Sequence, residues 1–211
     1  MDKTGMDKYD VKTAHKALYS PSAKEFCLVD VPALQYIVID GHGDPNTSPA
    51  YSDVIQSLYA VAFAVKFGSK KSLGRDYTVG PLEGLWRSPD MTAFARRDKG
   101  QWEWTLMISQ PAWITEDMVE AGRERTARKK QMPRLDDVRL VTLTEGRSVQ
   151  ILHIGSYDDE APTLHRLHTE YLPDNGLTFN GDHHEIYLSD PRRTAPARRK
   201  TILRQPVKAL A

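Results

Sequence analysis

The sequence lacks the features that mark secreted and membrane-spanning proteins. Its 211 residues include a single cysteine, Cys27, so no internal disulfide can form, and the apolar residues beside it favour a buried thiol. Residues 1–16 contain no apolar stretch of the kind that a secretory signal needs, and no apolar run in the chain is long enough to span a membrane. We therefore expect a cytoplasmic protein.

The sequence also lacks an excess of charge of either sign. The 29 basic residues nearly match the 28 acidic ones, so no overall field would attract nucleic acid or an anionic membrane. A basic stretch at residues 192–200 contains no interleaved aromatics and is read as a hairpin tip. Neither nucleic acid nor a membrane is expected as a partner, and both a monomer and a homodimer remain open.

Motifs that bind nucleotides, activate serine or hold metals are absent as well. The Gly41-x-Gly43 pair lacks the third glycine of a dinucleotide loop, and there is no phosphate-cradling loop and no Gly-x-Ser-x-Gly elbow. His165 and His168 lie three residues apart, but no cysteine pair or fixed His/Glu motif completes a metal shell. We expect neither a metal nor a cofactor.

What is present is a β-α-β-β pattern that occurs twice. The first copy has an apolar strand at 34–39, a helix from Pro49 to about residue 67 that breaks at 68–74, and two strands joined by a polar loop. The second copy repeats this order after a charged linker helix that Thr115 caps and that we interpret as solvated. The remaining predicted elements are strands at 76–86, 102–109, 147–154, 182–189 and 200–207 and a helix at 160–172.

This pattern predicts an α+β fold built from two duplicated halves with pseudo-two-fold symmetry. We expect helices to cover one face of the joined sheet and a ligand groove to lie on the other. The predicted organisation is a loosely docked N-terminal arm at residues 1–27, followed by one domain at 28–211. Within the domain, the first half spans about 28–114, the linker helix about 115–138 and the second half about 139–208.

Two glutamates are the candidate catalytic residues. Strand alternation puts Glu185 on one face with His183 and Tyr187, where a partly desolvated carboxylate could act as general base or hold a cation. A solvated glutamate on an exposed face is the equally weighted alternative. Alignment of the two halves makes Glu83 the counterpart of Glu185, which predicts that both carboxylates face one cavity, although Gly84 leaves the orientation of Glu83 open.

Aromatic residues cluster near these strands. The rings are either core residues or walls of the groove, and aromatic residues on strands more often belong to the core. The candidate ligand-binding residues are Trp86, Trp104, Met107, Trp113, Tyr157, His183 and Tyr187.

Three stretches of the sequence resemble the GyrI-like small-molecule-binding family. They are Pro81 to Trp86 (PLEGLW), Val149 to Gly155 (VQILHIG) and His183 to Pro191 (HHEIYLSDP), and the match runs from about Leu28 to Lys208. The third stretch, with the RRTAP that follows, resembles the stand-alone branch of that family, which includes cyclopropanoid cyclopropyl hydrolases.

The resemblance implies a fold of two SHS2-type units with a central groove and a pocket glutamate at Glu185. It also implies an activity, the opening of the strained ring of DNA-alkylating natural products by water within an aromatic cage, which protects the cell. The chain departs from many relatives at Arg87, where a second tryptophan usually follows Trp86. Two other functions are compatible with the resemblance: a non-catalytic sink or sensor for lipophilic cations, and a protein that interacts with DNA gyrase.

Overall fold

The computed structural model describes residues 8–88 and 99–210 of the chain. In these stretches, nine strands form an antiparallel sheet with helices packed against it, so the predicted α+β class is confirmed. The strands are β1 (Cys27–Val31), β2 (Leu34–His42), β3 (Leu82–Arg87), β4 (Glu103–Gln110), β5 (Arg139–Leu143), β6 (Gly146–Ile154), β7 (Leu177–Phe179), β8 (His183–Tyr187) and β9 (Lys200–Ala209).

Six α-helices accompany the sheet in the described residues. They are α1 (Val11–Ala14), α2 (Lys16–Tyr19), α3 (Pro49–Leu73), α4 (Glu116–Lys129), α5 (Ala161–Arg166) and α6 (Leu172–Asp174). A π-helical stretch, Leu167–Tyr171, joins α5 to α6, and a 3-10 turn, Tyr157–Glu160, precedes α5. None of the helices in the described part of the chain is long and apolar enough to cross a membrane.

The order of the strands is the same on either side of the β3–β8 pair. The central six strands run β6-β9-β8-β3-β4-β2, so each half contributes its first strand outermost and its second strand at the centre. This arrangement is the one that a duplicated β-α-β-β unit would produce, and the duplication itself stays a prediction. The site described below depends on β3 and β8, because they meet where the two halves join.

The two outermost strands exchange halves. β1, which precedes the first β-α-β-β unit in the chain, pairs with β6 of the second unit, and β5, which precedes the second unit, pairs with β2 of the first. Both strands were absent from the predicted pattern. Each half-sheet is therefore completed by the segment that leads into the other half.

The long helix α3 ends later than its sequence predicts. Pro49 occupies its first turn as expected, but Gly68 lies inside the helix, which continues to Leu73 and ends at Gly74 in the left-handed conformation, with φ 67°. The guanidinium of Arg125, from α4, occupies the space that a side chain at position 68 would need. A glycine is thus used here for close helix packing rather than to end the helix.

The first predicted strand after α3 is shorter than expected. Residues 76–81 are not part of β3, because Gly80 and Pro81 interrupt the chain and proline cannot donate a ladder hydrogen bond. Tyr77 instead forms an isolated bridge with Tyr9 of the N-terminal segment. The polar loop predicted between β3 and β4 falls largely on residues 89–98, outside the described residues.

The linker helix α4 begins as predicted but is not solvated on all sides. The Thr115 hydroxyl accepts a hydrogen bond from the backbone N–H of Met118. Val119, Gly122 and Thr126 are buried where α4 packs on α3, and the guanidinium of Arg125 also lies against α3, while most of the other charged side chains of α4 are exposed. The helix is therefore part of the layer that covers the first half of the sheet.

The two faces of the sheet are covered differently. We call the face that carries α3, α5 and α6 the helix face; its core includes Ile39, Leu58 and Leu106 of the first half. We call the other the arm face, because residues of the N-terminal segment, Val11, Leu18 and Tyr19, pack there against Ile186 and Ile202. The expectation of a loosely docked arm is therefore wrong for residues 8–27, since burial and hydrogen bonds hold this segment; residues 1–7 lie outside the described residues.

Candidate ligand-binding site

The register of β3 and β8 puts the two candidate glutamates on opposite faces of the sheet. Glu185 lies across from Gly84, whereas Glu83 lies across from Ile186. Because side chains alternate along a strand, Glu185 projects from the helix face and Glu83 from the arm face. The prediction that both face one cavity is wrong: the alignment of the two halves is displaced by one residue, and a one-residue shift reverses the face.

Glu185 lies within a group of rings that we call the aromatic cluster. Its carboxylate Oε2 accepts a hydrogen bond of 2.7 Å from the hydroxyl of Tyr187, and that hydroxyl accepts one of 3.0 Å from the indole N–H of Trp86. Tyr157 packs edge-on against Tyr187 with ring centroids 5.7 Å apart. Tyr51, from the first turn of α3, approaches Trp86 at 6.3 Å. The members of the aromatic cluster are Tyr51, Trp86, Trp102, Tyr157 and Tyr187.

The aromatic cluster lies on the helix face, between the N-terminal ends of α3 and α5. Tyr51 belongs to the first of these helices, and Tyr157 to the 3-10 turn that precedes the second. The sequence-based expectation of a groove on the face away from the helices is therefore corrected. The physical reason is that the N-terminal segment covers the arm face at β8 and β9, so the rings and the carboxylate meet instead in the gap between the two helix ends.

Gly84 gives Trp86 its position. A Cβ atom at residue 84 would lie 3.0 Å from the indole nitrogen of Trp86, closer than Cβ atoms normally lie to a neighbouring atom. The indole can therefore lie back over the strand and direct its N–H to Tyr187. The glycine that obscured the alternation of β3 in the sequence is thus the residue that makes room for this ring.

The other predicted ligand-binding residues have different outcomes. Trp104 is fully buried beneath Tyr51, with ring centroids 5.1 Å apart, so it supports the aromatic cluster from below. Met107 lies on the arm face with Tyr36 and Val38, so its predicted place in the groove is wrong. Trp113 is also outside the aromatic cluster: its indole N–H donates to Ser69, eighteen residues along α3 from Tyr51, or about 27 Å at the rise of an α-helix.

The electrostatics of the site keep its tyrosines protonated. Burial and the neighbouring Glu185 carboxylate raise the pKa of Tyr187 well above its usual range. Burial, followed by the same carboxylate, also raises the pKa of Tyr51. Both hydroxyls therefore keep their protons at neutral pH, and that of Tyr187 donates its hydrogen bond to Glu185.

A second buried carboxylate, Glu160, lies near the same tyrosines. It ends the 3-10 turn before α5, is only 4% exposed, and contributes to the raised pKa of both Tyr157 and Tyr187. Its role could not be predicted from the sequence, because an acidic residue at the start of a helix is ordinarily explained by the helix dipole. Tyr51 could have been found, since it continues the apolar spacing of Val54 and Leu58 toward the helix start.

Arg87 does not enter the aromatic cluster. It follows Trp86 on β3 and therefore projects from the arm face, where its guanidinium donates to Glu103 at 3.1 Å and to the Thr105 hydroxyl at 3.1 Å. A third contact, of 3.5 Å, reaches Asp182. The substitution that singled out Arg87 in the sequence thus alters the opposite side of the sheet from Glu185.

Glu83 belongs to a buried ionic network on the arm face. His184 lies between two carboxylates, with Nε2 3.0 Å from Glu83 and Nδ1 2.9 Å from Glu145, and all three side chains are almost completely buried. Arg204 donates to the other oxygen of Glu145 at 3.0 Å. Burial alone would lower the pKa of His184, but the two carboxylates raise it to about 8; burial would raise the pKa of Glu145, but His184 and Arg204 lower it to about 2.

This network fastens the N-terminal segment to the sheet. The Tyr19 hydroxyl donates to Glu83 at 2.7 Å, and Arg204 donates to the carbonyl of Leu18 at 2.9 Å. The amide of Gln150 donates to the carbonyl of Ala17. Glu83 therefore helps to hold the N-terminal segment on the sheet, and this role does not fit its predicted catalytic one.

Comparisons with known proteins agree with this architecture. The model of the GyrI-like small molecule binding domain family matches residues 24–208. A solved structure of an uncharacterized conserved protein from Listeria innocua is 37% identical, with a TM-score of 0.87 over 95% of this chain and 100% of that one. A structure named as a hydrolase from Listeria innocua is 35% identical, with a TM-score of 0.83 and the same coverage.

More distant structures share only the fold. The C-terminal domain of EcmrR is 12% identical, with a TM-score of 0.56 over 88% of this chain and 98% of that one. No curated protein matches the sequence. With the family model spanning most of the chain, this protein belongs to the GyrI-like small molecule binding domain family.

Proposed function

We propose that the chain binds planar, lipophilic small molecules in the aromatic cluster and hydrolyses cyclopropane-bearing DNA alkylators there, protecting the cell. The observation that carries the proposal is the position of Glu185. Its side chain is only 14% exposed, it is surrounded by rings, and one of its oxygens is already held by Tyr187. A carboxylate held in this way is oriented and partly desolvated, which suits a general base.

The reaction adds one water to the ligand. The water oxygen bonds to a carbon of the strained ring as a carbon–carbon bond of that ring breaks, and the electron pair moves through the conjugated dienone to its oxygen. Glu185 accepts the proton that the water loses and later releases it to solvent, and the dienone oxygen takes a proton from solvent to become a phenol. Flat rings such as Trp86 and Tyr157 suit this conjugated ligand by stacking, and the hydrolase name of a relative at 35% identity supports a hydrolytic reaction.

The test is incubation of the purified protein with a cyclopropane-bearing alkylator, followed by mass spectrometry for a product heavier by one water. We expect catalytic conversion above buffer, and a loss of about 10²-fold or more in the Glu185→Gln variant, which keeps the shape and the acceptor for Tyr187 but not the basicity. Glu103→Gln, half-exposed on the arm face, is the matched control and should convert at the wild-type rate. Full turnover by Glu185→Gln would refute the assigned role.

A second function, non-catalytic binding of lipophilic cations, is favoured by the two carboxylates near the tyrosines. Glu160 and Glu185 both raise the pKa of Tyr157 and Tyr187, so the site presents negative charge beside aromatic faces, which is the arrangement that binds organic cations. Fluorescence titration with ethidium and with neutral phenanthridine separates the two functions. A strong preference for ethidium, without conversion of the alkylator, would support the cation binder.

A further inference from the structure

His183 is a buried histidine beside Glu185 whose ring makes no hydrogen bond within the described residues. Its side chain is 5% exposed, and both Nδ1 and Nε2 are buried without a hydrogen-bonding partner. Buried polar atoms in folded proteins almost always have a partner, so a ring with two unpaired nitrogens requires an explanation. His183 lies across from Trp86 in the β3–β8 pair, which places it at the edge of the aromatic cluster.

The two oxygens of Glu185 have different surroundings. Oε2 is engaged by the Tyr187 hydroxyl at 2.7 Å, whereas Oε1 lies 3.6 Å from Nε2 of His183, too far for a direct hydrogen bond. Two polar atoms at this separation can both hydrogen-bond a single oxygen atom that lies beside them. Oε1 of Glu185, which does not bond to Tyr187, and the unpaired Nε2 of His183 therefore form one small polar site.

We propose that Glu185 Oε1 and His183 Nε2 together hold the attacking water of the reaction proposed above. The inference rests on that proposed function and adds the position of the nucleophile to it. The water donates one hydrogen to each acceptor, so a lone pair on its oxygen is left to attack the ring carbon. As the oxygen–carbon bond forms, the proton shared with Glu185 moves to the carboxylate, while His183 keeps the water oriented and is a positioning residue.

A nearby histidine provides a matched control for this assignment. His168, on the π-helical stretch, also has a buried and unpartnered nitrogen, Nε2, and its ring packs edge-on against Phe179 with centroids 4.9 Å apart. It faces a phenylalanine rather than Glu185. If unpaired imidazoles on this side of the sheet served only to fill space, replacing His168 or His183 by phenylalanine should have the same effect.

The experiment compares His183→Phe, His183→Gln and His168→Phe. Turnover of the cyclopropane-bearing alkylator gives kcat and KM, calorimetric titration with the ring-opened product gives binding, and circular dichroism checks folding. For His183→Phe we expect kcat to fall by about 10²-fold while product affinity stays within about threefold. His183→Gln should recover most of the activity, because its amide oxygen can accept from the water, and His168→Phe should match wild type.

The outcomes separate this inference from the function on which it rests. Unchanged kcat in His183→Phe, with normal conversion by wild type, would overturn the water-holding role alone. An equal loss of binding and turnover in folded His183→Phe would show a packing role and also overturn it. A wild-type protein that binds the product without converting the alkylator would overturn both the hydrolase and the water site.

Discussion

The buried position of His184 predicts how the stability of the protein depends on pH. His184 is fully buried between Glu83 and Glu145, and its pKa is raised from 6.5 to about 8. A histidine whose pKa is higher in the folded state contributes stability that is fully present below pH 6.5 and is lost as the pH rises through 8. The difference between these two pKa values corresponds to about 2 kcal/mol of unfolding free energy.

Urea unfolding followed by tryptophan fluorescence measures this contribution. We expect the wild-type protein to lose about 2 kcal/mol between pH 6 and pH 9 relative to a His184→Gln variant measured over the same range. Removing the charge should also destabilise the variant at pH 6 by about 3 to 5 kcal/mol, because it leaves two buried carboxylates with one fewer partner. The variant should still fold, because Arg204 still donates to Glu145 and Tyr19 still donates to Glu83.

The control for this prediction is another buried histidine. Burial, together with His183 and His165, lowers the pKa of His168 to about 4, so its contribution to stability changes only below pH 6.5. A His168→Gln variant should therefore keep the wild-type loss of stability between pH 6 and 9. Parallel pH profiles for wild type and His184→Gln would refute the reasoning, because they would mean that His184 carries no charge in the folded protein.

Other predictions concern packing and the limits of the site. Gly41→Ala should destabilise the protein by about 1 to 3 kcal/mol in urea unfolding, since a Cβ at this position would overlap the fully buried ring of Trp104. Trp113→Leu should also lower stability, because its ring packs against Tyr77 and under Arg75, yet calorimetric titration should give unchanged affinity for the ring-opened product. Trp86→Leu should weaken that affinity by about tenfold; equal effects of the two tryptophan variants on affinity would contradict the location of the site.

Much of the fold could be predicted from local patterns in the sequence. The β-branched run of β2, the proline that begins α3 and the threonine that caps α4 all act through nearby residues, and each indicates its element correctly. The edge strands β1 and β5 could not be found in this way. Each is short and is stabilised by a partner strand about a hundred or more residues away, so no local period identifies it.

The candidate site could be predicted only where strand alternation was uninterrupted. Along β8 the alternation correctly puts Glu185 and Tyr187 on one face and His184 on the other. Along β3 the glycine at 84 hid the alternation, and a displacement of one residue moved Glu83 to the wrong side. The apolar spacing of α3 indicates that Tyr51 faces the sheet, but its contact with Trp86 depends on where the helix end meets the sheet, which is a property of tertiary packing.

The exchange of β1 and β5 between the halves has a consequence for dividing the protein. A cut in the connection between α4 and β5 would give an N-terminal fragment that carries the edge strand of its partner and lacks its own. Each fragment would expose an unpaired strand edge, a surface prone to aggregation, until the two associate. Reassembly of the fragments would restore both edges at once, so the halves are suited to complementation in pairs rather than to use as independent modules.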